Sequence, residues 1–160
     1  MHEVVSPYPG LSISRMTEHD LLEVVEIEEV SGISAWGWDA YHKELQSPED
    51  VIMLVGKIEN GGGNIAGFIV SRVVAGELHI NNVAVRPEFH RRGFAAQLLT
   101  AVLREGQRHG ARLAFLEVRA GNAAAQGLYG RCGFQVTGRR RRYYNQPVED
   151  ALLMSLLLET

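Results

Sequence analysis

LAFLEVRAGNAAAQGLYGRCGF, Leu113–Phe134, is the stretch on which the fold turns, because it joins an apolar strand to a helix and places one acid and one tyrosine at that junction. The run LAFLEV is short and rich in aromatic and β-branched residues, and glycines stand on either side of it at Gly110 and Gly121, as a buried strand requires. Glu117 interrupts it. A strand that is otherwise apolar belongs in a sheet covered on both faces, so a carboxylate there is either paired or set at an opening. Asn122 then has the residue type and position of a helix N-cap, AAAQGLYGR continues as helix, and Gly133 supplies a left-handed stop. Tyr129 lies on that helix. Seven residues bring a helix back to nearly the same face, so Asn122 and Tyr129 are expected to line one cleft.

Upstream, Gly93–His109 reads as a helix with Phe94, Leu98, Leu99, Val102 and Leu103 on one stripe, stopped by Gly110. ELHINNVAV, Glu77–Val85, reads as the strand feeding it, closed by Pro87. VIMLVGKI and IAGFIVSRVV flank NGGGN and form a hairpin by composition and turn residues. Nearer the N-terminus, LSISRM alternates as a first strand, and Thr17 with Asp20 starts a helix over Leu21–Val30. Ser31–Gly37 is a small-residue break and candidate lid, after which Asp39 is expected to cap a short helix, Ala40–Gln46, ended by Ser47-Pro48. Downstream, Phe134–Tyr144 and Asp150–Leu158 form an antiparallel pair through Asn145-Gln146-Pro147. The junction Arg91-Arg92-Gly93-Phe94-Ala95-Ala96 suits an anion such as a pyrophosphate. A helix start offers backbone N–H groups and the positive end of its dipole, glycine permits close approach, and the arginines add charge.

The chain has 160 residues, 46% of them hydrophobic and 22% charged, which fits one globular domain spanning 1–160. Its single Cys132 supports no internal disulfide, and its six histidines show no metal-ligand spacing, so no metal is expected. No apolar run approaches the roughly 20 residues of a membrane span, and the N-terminus MHEVVSPYPG lacks the pattern of a targeting signal. A cytoplasmic location follows as the expectation. A net charge of -3 argues against broad electrostatic binding of nucleic acid. Arg139–Arg142 with Tyr143 and Tyr144 is a basic and aromatic cluster, but strand alternation splits such side chains between two faces. Glu23, Glu26, Glu28 and Glu29 read as a solvated helix face.

VAVRPEFHRRGFAAQLL, LEVRAGNAAAQGLYGRCGF and RRRYYNQPVEDALLMSL together resemble the GNAT superfamily of acetyl-coenzyme A-dependent N-acetyltransferases, and within it the RimI-type ribosomal-protein-alanine enzymes. The resemblance implies an α/β fold with a mixed, mostly antiparallel sheet of about seven strands and about four helices, splayed near Val85 at the cofactor site. It implies that Val83, Ala84 and Val85 hold the acetyl and pantetheine portion through the backbone, that Arg91, Arg92, Gly93, Phe94, Ala95 and Ala96 bind the pyrophosphate, and that Asn122 touches the cofactor. Ala95 stands where the family often has a second glycine, and Gly121 replaces a frequent serine.

Acetyl transfer to an amine needs a neutral nucleophile, a stabilised oxyanion and a proton for the departing thiolate. An α-amine has a pKa of about 7.7–8.0, so a modest base suffices. Glu117 is the candidate base, and the resemblance assigns it that role; its alternative is a buried structural carboxylate paired with Arg119 or Arg131. Tyr129 is the candidate acid by the same resemblance, its alternative being a packed ring with a wet hydroxyl. Tyr143 and Tyr144 are expected to shape a peptide entrance, and Trp36 is a further substrate-side candidate with partial core as its alternative. The expected acceptor is a protein N-terminus such as that of a ribosomal protein, served by a monomer or weak dimer. A lysine or small-amine acetyltransferase, or a non-catalytic acyl-coenzyme A sensor, are the alternatives on the same scaffold.

Overall fold

A computed structural model describes residues 11–31, 36–47, 49–58 and 64–158. The N-terminal MHEVVSPYPG, most of the break at 31–37, Pro48 and the greater part of the NGGGN turn lie outside the described residues. Seven strands and four α-helices follow in the order β1 (Leu11–Arg15), α1 (Leu21–Ser31), α2 (Trp38–Leu45), β2 (Val51–Ile58), β3 (Ile65–Val74), β4 (Glu77–Val85), α3 (Phe94–Arg108), β5 (Leu113–Arg119), α4 (Ala123–Arg131), β6 (Gln135–Asn145) and β7 (Val148–Leu157). Short 3-10 turns precede α1 and α3.

The strands form one sheet in the order β1-β2-β3-β4-β5-β7-β6, antiparallel throughout except for β4 beside β5. That single parallel pair requires a crossover, and α3 supplies it. The two faces bury different sets of side chains. Ile52, Leu54, Ile69, Leu78, Ile80, Leu116 and Val118 face α3 and α4 and pack with Leu98, Leu99, Val102 and Tyr129. Val51, Met53, Val55, Phe68, Val70 and Ala84 face α1 and α2 and pack with Leu21, Val24, Ile27 and Tyr41. The central strands are therefore apolar on both faces, as their sequences predict.

Local chemistry explains most boundaries. The Thr17 backbone N–H donates to Asp20 Oδ2 at 2.8 Å ahead of α1. Gly110 and Gly133 take left-handed backbones, at φ of 87° and 99°, where α3 and α4 end. The predicted cap of α2 is corrected: Gly37 occupies the N-cap and Asp39 lies within the first turn, so Asp39 acts through its charge at the positive end of the helix.

Gly67 on β3 is a packing constraint. A β-carbon there would stand 2.7 Å from the Ala84 carbonyl oxygen and 2.9 Å from Val85 Cγ2. Gly67→Ala is therefore expected to cost about 1–3 kcal/mol and to lower Tm by roughly 2–10 °C in thermal unfolding. An unchanged Tm would show that β4 yields there without cost.

Candidate active site

The site begins where a strand pair stops. β4 and β5 pair in parallel from Glu77 with Leu113 to Ile80 with Leu116, and no further. β4 continues to Val85 in register with β3, while β5 continues to Arg119 in register with β7. Between Val70 and Ser71 the β3–β4 register shifts, so that Asn82 opposes Val70, Ile80 opposes Ser71 and Asn81 is left as a bulge. A bulge bends its strand and increases its twist, which turns the arm Asn81–Val85 away from β5. The split thus opens at Ile80 and Leu116 and runs along β4 to Val85. Along it, the β5-facing edge of β4 has no partner strand, and its backbone N–H and C=O groups can serve a bound ligand.

Beyond Val85 the chain reaches the start of α3. Arg91 and Gly93 both adopt left-handed backbones, with φ of 65° and 76°, and Gly93 caps α3 without any side-chain hydrogen bond. Such alternation turns successive N–H groups toward one point and makes a concavity for an anion. Ala95 and Ala96 leave the first turn uncrowded, while Arg91 and Arg92 are exposed beside it. Arg92 lies over the Phe89 ring with Cζ 5.4 Å from its centroid, and the Phe94 side chain is core, leaving only its backbone for a ligand. These features fit a pyrophosphate.

Glu117 alternates with Leu116 and Val118, which face α3 and α4, so its carboxylate faces the other side of the sheet. Its side chain is 10% exposed and meets His79 Nε2 at 2.7 Å and Arg140 Nε at 3.8 Å. The expected alternative partners are not there: Arg119 pairs with Glu149 at 3.2 Å, and the Arg131 guanidinium lies near Gly127 on α4. An ionised carboxylate only accepts, so His79 presents a protonated Nε2 to Glu117, while Asn81 Nδ2 lies 3.2 Å from His79 Nδ1. The ring stacks on Phe115, with centroids 4.4 Å apart and planes at 6°. His79 was not legible as a site residue. The signal was the parallel alignment of HINN with FLEV, which strand patterns alone do not provide.

Tyr129 occupies the opposite face. It is 8% exposed, packs edge-on to Phe134 at 6.1 Å, and burial first, with the charges of Tyr144 and Cys132 behind it, pushes its hydroxyl up to about 12. The ring stays protonated at neutral pH and retains a proton to give. Asn122 does cap α4, accepting from the Ala125 N–H at 3.1 Å, but it is exposed at the helix start while Tyr129 turns into the core. Seven residues do not bring them into one lining here, because Asn122 lies before the helix proper. Cys132 is packed, and burial raises its thiol pKa.

The α1–α2 side of the split holds a polar group that sequence patterning misplaces. Glu28 is 1% exposed, a correction to its reading as part of a solvated face; Glu23 and Glu26, by contrast, reach Arg86 at 3.4 and 2.8 Å. Glu28 accepts from the Gly37 N–H at 3.1 Å and from the buried Tyr41 hydroxyl, and Asn82 Nδ2 donates to that hydroxyl at 3.0 Å. Burial and the Glu28 carboxylate push the Tyr41 hydroxyl far above its ordinary range. Trp36 stacks on Tyr41 at 5.2 Å, half-buried at the edge of that core.

Across the split, Tyr143 and Tyr144 meet edge to face at 5.1 Å, with Arg119 over Tyr144 at 4.2 Å. Burial, and after it the charge of Glu117, raises the Tyr143 hydroxyl. Arg139 pairs with Asp150 at 2.8 Å while Arg140 turns to Glu117, so this basic run does divide its side chains. Among the described residues, no three His, Cys, Asp or Glu side chains gather as for a metal ion, and no helix is long and apolar enough to cross a membrane.

The sequence pattern of the acetyltransferase (GNAT) family matches residues 21–134. The ribosomal protein bS18-alanine N-acetyltransferase of Haemophilus ducreyi is 32% identical over 156 residues, covering 91% of this chain and 99% of its own length. The N-alpha-acetyltransferase RimI of Mycobacterium tuberculosis is 33% identical over 150 residues, covering 90% of each chain. The crystal structure of the ribosomal-protein-S18-alanine N-acetyltransferase from Escherichia coli superposes with a TM-score of 0.82 at 31% identity, over 94% of this chain and 95% of that one.

Tyr129 also sets an alkaline limit to the fold. Its folded pKa stands above its unfolded value of 10.0, so its contribution to stability is complete below about 10 and is lost as pH rises toward about 12. Melting temperatures measured at pH 8 and pH 11 are expected to fall, with a smaller fall in Tyr129→Phe; an equal fall in both proteins refutes this assignment.

Proposed function

We propose that this chain, which belongs to the GNAT family of acetyltransferases, moves the acetyl group of acetyl-coenzyme A directly onto the N-terminal α-amine of a protein, of the kind a ribosomal-protein-alanine N-acetyltransferase serves. The observation that supports this reading is that Glu117 faces the α1–α2 side of the sheet one residue past the last β4–β5 pair, where the split opens, while Tyr129 packs on the α3–α4 side. A thioester lying in that split has the acceptor and its base on one side and the proton donor for sulfur on the other.

The free edge of β4 at Val83, Ala84 and Val85 offers the backbone hydrogen bonds for the acetyl and pantetheine portion, and the turn at Arg91–Ala96 takes the pyrophosphate, with Asn122 at its flank. The neutral amine nitrogen attacks the thioester carbonyl carbon, and its proton passes to Glu117, directly or through a water. The carbon–sulfur bond then breaks and Tyr129 gives its phenolic proton to the departing thiolate; afterwards Glu117 releases the proton it took to solvent and Tyr129 recovers one. Products are the N-acetylated chain and coenzyme A. Arg140 and His79 orient Glu117 as the acceptor of that proton.

Tyr143, Tyr144 and Trp36 flank the acceptor side and shape the entrance for a peptide. The protein acceptor is favoured over a small amine by relatives that cover about nine-tenths of this chain and are named a ribosomal protein bS18-alanine N-acetyltransferase and an N-alpha-acetyltransferase. A cytoplasmic location goes with such an acceptor.

Glu117→Gln is expected to lower kcat by about 10²–10⁴ with Tm unchanged, because glutamine can still accept from His79. Tyr129→Phe is expected to lower kcat with little change in the KM for acetyl-coenzyme A. Thiol release should be faster with peptides of free N-terminal alanine than with N-terminally blocked lysine peptides or polyamines. Preference for a blocked lysine peptide sinks the α-amine reading, and binding of acetyl-coenzyme A without turnover on any acceptor favours a sensor.

A further inference from the structure

The buried group formed by Glu28, Tyr41 and Asn82 takes no part in the proton transfers described above, yet it ends on the arm of β4 that borders the split. Its hydrogen bonds run in one direction. Glu28 lies 1% exposed and, as a carboxylate, accepts from the Gly37 N–H and from the Tyr41 hydroxyl. The Tyr41 hydroxyl has one hydrogen, spent on Glu28, so toward Asn82 it can only accept. Asn82 must therefore present its NH₂ to Tyr41, at 3.0 Å, and its carbonyl oxygen Oδ1 points the other way. The orientation of this amide is settled by chemistry, because a flipped amide would set two acceptor oxygens against each other.

Asn82 shares its face of the sheet with Tyr41 and Ala84, the face that Glu117 also points toward. It stands two residues past Ile80 on β4, and Glu117 stands one residue past Leu116 on β5, so the two flank the opening on its acceptor side. We propose that Asn82 Oδ1 holds one N–H of the acceptor amine while Glu117 takes the other, with Tyr41 and Glu28 locking the amide in that sense. The proposal rests on the reading of Glu117 as the base.

A neutral primary amine has two hydrogens and one lone pair. Holding both hydrogens from two sides leaves the lone pair directed at the thioester carbonyl. As the carbon–nitrogen bond forms, the nitrogen becomes positive and both hydrogen bonds strengthen, which favours the transition state over the bound amine. Glu117 then takes its proton, and Asn82, having no basic site, keeps only its hydrogen bond. An N-methylated amine has a single hydrogen in its neutral form and must leave one of the two acceptors unsatisfied, so the pair selects primary amines.

The test is a comparison of kcat/KM ratios. Wild type, Asn82→Ala and Tyr41→Phe are assayed with a peptide of free N-terminal alanine and its N-methylalanine counterpart, and with an N-terminally blocked lysine peptide and its Nε-methyl counterpart. Asn82→Ala is expected to lose about tenfold on the primary amine and less than about twofold on the methylated one, with the KM for acetyl-coenzyme A unchanged. Tyr41→Phe, which keeps the ring in its buried place but frees the amide to turn, is expected to shift the ratio in the same sense by about threefold. Equal losses on primary and methylated amines, or ratios at the wild-type value in both variants, overturn the proposal. The lysine pair keeps the readout if the acceptor class differs from the one proposed. Glu117→Gln, assayed alongside, reads the base separately: if its turnover is retained, Glu117 is not the base, and a narrowed ratio in Asn82→Ala still supports the Asn82 contact.

Discussion

Two strands that begin side by side and then part govern this molecule. β4 and β5 share four residue pairs and then answer to different neighbours, β4 to β3 and β5 to β7. The bulge at Asn81 gives β4 the extra twist to leave, and the bare backbone of Gly67 lets β3 follow it closely. Unpaired strand edges inside a sheet are costly unless something satisfies them. Here the edge of β4 past Ile80 is such a row of hydrogen-bonding groups, and the proposed pantetheine chain would satisfy it.

The sheet also separates its polar groups by face. On the α3–α4 side stand the turn at Arg91–Ala96 and Tyr129, whose burial raises its hydroxyl. On the other side stand Glu117 with His79 and Arg140, and Glu28 with Tyr41 and Asn82. Glu117 and Tyr129 thus sit on opposite faces, with Tyr144 the residue whose surroundings touch both. A carboxylate and a phenol that met directly would bond to each other, as Glu28 and Tyr41 do on the α1–α2 side.

Legibility in the sequence follows the range of the forces involved. α3 with its stripe, the full extent of β4 and the cap at Asn122 depend on neighbours a few residues away, and all were readable. Glu117 stood out because a charge in an apolar strand is locally anomalous. Its partners did not, since His79 and Arg140 reach it only through strand pairings 38 and 23 residues apart in sequence. Glu28 deceived for the same reason. Helical spacing placed it among solvated acids, and only the arrival of Tyr41 and the start of α2 makes its burial tolerable.

The C-terminal strands carry a temporal consequence. β7 comes after β6 in the chain yet lies between β5 and β6 in the sheet, and among the described residues β6 pairs as a strand with β7 alone. During synthesis the edge of β5 therefore stays open until Val148–Leu157 has been made, and β6 has nowhere to dock before then. Arg140 reaches Glu117, and Glu149 reaches Arg119 and the Gly121 N–H, only once that last strand is threaded into place. A nascent chain stopped short of β7 would hold the turn at Arg91–Ala96 and the Tyr129 helix but lack these contacts, so the surroundings of Glu117 are completed by the last strand to be made.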